Sequence, residues 1–153
     1  CTSADAAGLP IAPLTFTADE VAAGEIKHAI RFILPNTRIA HRQYVRPATH
    51  ATGAASADPD GMPYGVRLRL RADFAVDELP SLGARVVARA LQKYGMILAD
   101  GGQIALTAAS DRGATARWED LIEPRDLAVL DVSDFDVVDM GAVFDWSGDC
   151  ERN

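Results

Sequence analysis

Three residue groups in this chain could do chemistry. The first is the run Val66-Arg67-Leu68-Arg69-Leu70-Arg71-Ala72-Asp73-Phe74, in which apolar and arginine side chains alternate. Period-two alternation is the pattern of a strand with one buried face, and it places Arg67, Arg69 and Arg71 about 6.6–7 Å apart on the other face. Such a row either pairs with neighbouring carboxylates or lines a site for an anionic or polyhydroxylated ligand. In the second case Arg67 and Arg69, helped by Arg46 and Tyr64, would hold substrate oxygens. The second group is the histidines. His28 sits on the apolar face of a predicted strand, and His50 stands at the entry to a long loop, where binding and catalysis concentrate. Each is read either as a general acid/base or as an ordinary hydrogen-bonded histidine. His41 reads as solvated surface. The third group is Asp100, in Asp100-Gly101-Gly102. It is either a hairpin turn residue or a general base beside a cleft.

Several chemistries lack a motif. There is no His-Glu-x-x-His, no Cys-x-x-Cys and no complete calcium loop, so neither a metal nor another cofactor is expected. Asp58-Pro59-Asp60-Gly61 carries the residues of a turn. No Gly-x-Ser-x-Gly elbow or phosphate-binding glycine loop is present. Trp118, Trp146, Tyr44 and Tyr64 could stack on sugar rings, although scattered aromatics are more often packing residues.

Elements must position these groups. Glu25–Leu34 and Ile39–Val45 read as strands, followed by an irregular stretch from Pro47 to Pro63 and then the arginine strand. Leu79–Tyr94 has the apolar stripe of a helix, with Gly95 as its stop. Met96–Ala99 and Gln103–Ala108 are expected to form a hairpin around Asp100-Gly101-Gly102. Trp118–Leu130 reads as a short helical region limited by Pro124, and Phe135–Asp139 as a last strand. Residues 1–24, with Pro10 and Pro13, read as an extended lead-in. The expected fold class is β-rich α+β: a mostly antiparallel sheet or jelly-roll-like sandwich with one helix packed on it.

The 153 residues fit one domain, here 1–153, and 48% hydrophobic content is ordinary for a globular chain. A net charge of −7 argues against nucleic acid as a partner. No apolar stretch approaches the ~20 residues of a membrane span. Cys1 and Cys150 are the only cysteines. Pairing with each other is one reading, since domain termini often lie close together, and it would imply an oxidising compartment. Pairing with a segment outside this chain, or lipidation of Cys1, are others.

The segments Cys1–Pro10, Glu20–Phe32 and Lys93–Asp100, together with the arginine strand and Phe135-Asp136-Val137-Val138-Asp139, resemble a family of secreted proteins from actinobacteria and other soil bacteria. The resemblance covers about residues 1–140. It implies a secreted or cell-surface location and a C-terminal position in a longer chain, with a further N-terminal segment as a partner. It implies no activity. Cys1 departs from the tryptophan common at that position in the family, which strengthens the Cys1–Cys150 pairing. Gly102-Gln103-Ile104-Ala105 replaces an asparagine, tryptophan and tyrosine that family members often carry after the Asp100 turn.

These readings lead to three expectations of function. The first is a secreted carbohydrate-active protein, such as a glycoside hydrolase or polysaccharide lyase using His50, His28 and Asp100 on a polysaccharide. The second is a non-catalytic glycan or cell-wall binding module. The third is a structural protein in which internal pairs absorb the arginines. A catalytic site would require His28, His50 and Asp100 to converge on one point.

Overall fold

The computed structural model describes residues 4–53, 60–103 and 105–148. It is β-rich, as the alternating patterns require, with eight strands and one long helix among the described residues. The strands are β1 (Ile30–Leu34), β2 (Ile39–Val45), β3 (Met62–Tyr64), β4 (Arg67–Leu70), β5 (Met96–Gly101), β6 (Ala105–Leu106), β7 (Phe135–Val138) and β8 (Val143–Asp145). They form a five-stranded sheet of order β6-β1-β5-β4-β7 and a three-stranded sheet of order β3-β2-β8. Antiparallel ladders predominate, while β1–β5 and β2–β3 are parallel. The expected α+β sandwich with a packed helix is therefore the observed class.

One core joins the two sheets. Phe32, Leu68, Ile97 and Leu98 of the larger sheet cluster with Ile39, Tyr44, Val45 and Tyr64 of the smaller. A second core forms under the helix α2 (Leu82–Lys93), where Ile30 and Leu70 meet Val86, Val87 and Leu91. Each of those helix side chains, fully buried, contributes about 1.5–3 kcal/mol.

The helix begins later than its apolar stripe suggests. Ser81 accepts a hydrogen bond from the Ala84 amide and caps the first turn, so Leu79 and Pro80 lie outside and Leu82, at the first helical position, is exposed. The helix stops at Gly95, whose φ of +74° suits glycine. A Cβ there would lie 2.5 Å from the Leu68 carbonyl oxygen, so the close approach of α2 to β4 also requires glycine.

Further expectations need correction. The strand read over Glu25–Leu34 begins only at Ile30, so His28 precedes it rather than sitting on its apolar face, and the arginine strand ends at Leu70, which leaves Arg71 beyond it. Residues 1–24 contain a short helix, α1 (Ala18–Ala22). Its signal is Thr17-Ala18-Asp19-Glu20, a capping box in which Thr17 and Glu20 satisfy each other's backbone amides. The Met96–Ala108 hairpin does not form. β5 runs on through Asp100 and Gly101, paired in parallel with Ile33 and Leu34 after a bulge, and the chain crosses to the far side of β1, where β6 pairs antiparallel to Phe32 and Ile33. Residues 118–132 are a 3-10 turn followed by irregular turns rather than a helix, with Pro124 interrupting the pattern. The Cys1–Cys150 pairing and Asp58–Pro59 lie outside the described residues.

The 118–132 segment is pinned to α2 by a close backbone approach. A Cβ on Gly83 would lie 2.4 Å from the Leu121 carbonyl oxygen and 3.0 Å from the Ile122 Cβ. Gly83→Ala should therefore destabilise the protein by about 1–3 kcal/mol through overpacking. This is opposite to the gain of about 1 kcal/mol that alanine gives an unobstructed helix. Urea unfolding checks it, and a raised midpoint would contradict the contact.

Candidate functional site

Two features of the fold are organised enough to act as sites: a polar group that joins Arg31 of β1 to Asp5 and to Asp100 of β5, and an apolar cavity beside α2.

Arg31 is the centre of the polar group. Both faces of β1 are buried, so its one charged side chain must find partners inside. Its Nη2 lies 3.6 Å from Asp5 Oδ2 and 3.7 Å from Asp100 Oδ2, and its Nη1 donates to Thr107 Oγ1 at 3.2 Å. The Asp5 side chain is fully buried, and its Oδ1 accepts from the Ala7 and Leu9 amides. Asp100 is different: its side chain is 42% exposed, and its Oδ1 accepts from the Gly101 amide. Tyr64, buried at the edge of this group, is hydrogen-bonded to Thr52. Burial pushes the Asp5 carboxyl above its ordinary range, against the lowering by the Leu9 amide and by Arg31. Burial also pushes the Tyr64 phenol up.

The arginine row has another use. Arg67 Nε donates to the Tyr94 carbonyl and Arg69 Nε to the Gln92 carbonyl, both at 2.6 Å. These are carbonyls at the C-terminal end of α2, which no further turn of helix satisfies and which carry the negative end of its dipole. Arg71 instead forks onto Asp73, which holds the Asp73 carboxyl below the usual carboxylate range. The Gln92 side chain returns the tie by donating to the Arg71 carbonyl. The row thus clamps α2 to β4.

Among the described residues, His28, His50 and Asp100 bond different partners. His28 donates from Nδ1 to the Ala29 carbonyl and places Nε2 3.2 Å from Glu20, the residue that closes the α1 capping box. His50 Nδ1 is 2.7 Å from Thr49 Oγ1, and its ring is tilted 6.4 Å from that of Trp146. Its amide donates to the Ala7 carbonyl, and the Ala7 amide donates to the Ala99 carbonyl, so His50 and the strand of Asp100 are tied to the same turn. Arg46 lies over the stacked Tyr44 and Phe144 rings, 6.0 and 5.5 Å from their centroids. His41 is exposed. Among the described residues no three His, Cys, Asp or Glu side chains gather as a metal would require, and no helix is long and apolar enough to cross a membrane.

The cavity is the larger feature, with a volume of about 720 Å³. Its floor is the five-stranded sheet, represented by Phe32, Leu34, Leu68, Met96 and Phe135, and Leu91 of α2 forms one wall. Its roof is the irregular 118–132 segment, which contributes Trp118, Ile122, Leu127 and Leu130. Trp118 holds the roof in place: its indole N–H donates to the Ala109 carbonyl, its amide to Asp111, and its ring packs edge-on against Phe16. Sequence reasoning missed this site because its roof reads as a helix, and a helix would have filled the space. No family model, curated protein or solved structure matches the chain.

The ion-pair group makes a pH prediction. Asp5's folded-state pKa is raised, so the folded chain keeps a proton that the unfolded chain releases, and its contribution to stability falls as pH rises above about 3.8. The stability difference between wild type and Asp5→Asn should therefore shrink or turn negative across that rise. Arg31→Met, which strips both carboxylates of their shared cation, should cost about 3–5 kcal/mol near neutral pH. Urea titrations at several pH values check both, and an Arg31→Met variant as stable as wild type would contradict the pairing.

Proposed function

We propose that this protein is a non-catalytic binding domain for a small, largely apolar molecule held between the five-stranded sheet and the 118–132 segment. The observation that carries this reading is the apolar cavity. Its volume lies within the range of about 300–1,000 Å³ typical of ligand pockets, and its lining is mostly aliphatic and aromatic. The separate environments of His28, His50 and Asp100 favour binding over turnover.

A second reading follows the carbohydrate-directed expectation from sequence. It is favoured by the exposure of the Asp100 carboxylate near the carboxyl end of β5, where an acceptor would face sugar hydroxyls.

Titration with the neutral apolar dye N-phenyl-1-naphthylamine separates the two. One dye should bind per chain with enhanced emission, and decanol should displace it. Leu106→Trp, which fills the cavity from β6, should weaken dye binding by about tenfold or more, equivalent to about 1.4 kcal/mol. Dye binding that is absent, or unchanged in Leu106→Trp, would overturn the apolar reading. Soluble oligosaccharides should leave the dye in place; an oligosaccharide that binds wild type but not Asp100→Asn would support the second reading instead.

A further inference from the structure

The cavity's lining also bears on the polar end of its ligand, and this inference rests on the apolar binding reading. Among the residues that line it, the ionisable ones are Glu123 and Asp131, and neither arginine nor lysine is present. Both acidic residues are exposed, so they stand where the cavity meets solvent rather than in its interior. The Asp131 carboxylate is fixed there, with Oδ1 accepting from the Ser133 amide and hydroxyl, contacts that hold it below the usual carboxylate range. Arg71, Arg117 and Arg125, on adjoining segments, are not among the lining residues. Arg71 is engaged by Asp73 and reaches the Ser133 carbonyl, and Arg125 lies outside the lining on the same segment as Glu123. The surrounding protein, at −7, adds to the negative potential.

From this charge complementarity we infer that the ligand is a cationic amphiphile: a single apolar chain or ring system inside the cavity, with a protonated amine at the Glu123–Asp131 mouth. An amine there gains a carboxylate partner, while a fatty acid of the same length brings a like charge to the same place. The attraction is between solvent-exposed groups, so it should weaken as salt is added.

Displacement of the dye by decylamine, decanol and decanoate, each below its micelle-forming concentration, tests the inference. In wild type at low ionic strength the amine should displace the dye at a concentration about tenfold or more below that of the carboxylate, with the alcohol between them. In Glu123→Gln, an exposed substitution with no core contact to lose, the amine-to-carboxylate ratio should fall about threefold or more. Added salt should reduce the wild-type ratio in the same direction. Equal displacement by the three compounds, preference for decanoate, or an amine preference undiminished in Glu123→Gln would overturn the inference while leaving the apolar reading in place. Failure of all three to displace the dye would overturn the apolar reading itself.

Discussion

One helix cannot cover five strands. A helix is about 10 Å across and neighbouring strands are about 4.8 Å apart, so α2 shields roughly half the width of the sheet on which it packs. The remaining apolar side chains on that side, among them Leu106 and Phe135, still need shelter from water. The chain supplies it with the irregular 118–132 segment, anchored through Trp118 and the Gly83 approach. Turns cannot mesh with a sheet as a helix ridge does, and the space left between them is the cavity. The candidate function thus arises from a coverage deficit in the fold.

That arrangement depends on α2 being held to one side of the sheet. Arg67 and Arg69 grip its carbonyl end, Gln92 grips the backbone beyond β4, and Gly95 allows the two to touch. The arginines are therefore part of the frame that leaves the cavity open. On the other side of the sheet, the Arg31 group closes the junction between β1, β5 and the Asp5 turn. Here burial is the dominant force: it raises Asp5 and demands Arg31 as its counter-charge.

Much of this was legible in the residues. The alternation that makes β4, although it runs on in sequence past the strand's end at Leu70, the apolar stripe of α2 and the turn at Gly95 follow from side-chain period and glycine geometry, and the α+β class follows from them. Arg31 was legible in principle: a strand apolar on both faces that carries one arginine must hold a buried partner for it. What escaped was long-range. No local pattern states that β6 pairs with β1 rather than β5, because β6 is only two residues long and carries no pattern of its own. Nor does the 118–132 pattern reveal that its apolar residues roof a space instead of filling it. The use of the arginine row was undecided in sequence because backbone carbonyls have no residue type to read.

The account stands or falls on the cavity admitting an apolar molecule. The chain has three methionines: Met62 and Met96 line the cavity as well as packing against the core between the sheets, whereas Met140 packs against that core without lining the cavity. The most direct measurement is the NMR spectrum of methyl-labelled methionine as decanol is added. The account predicts that the Met62 and Met96 methyl signals shift saturably and together while Met140 stays in place. Three unmoved signals, or three that drift equally without saturation, would contradict it.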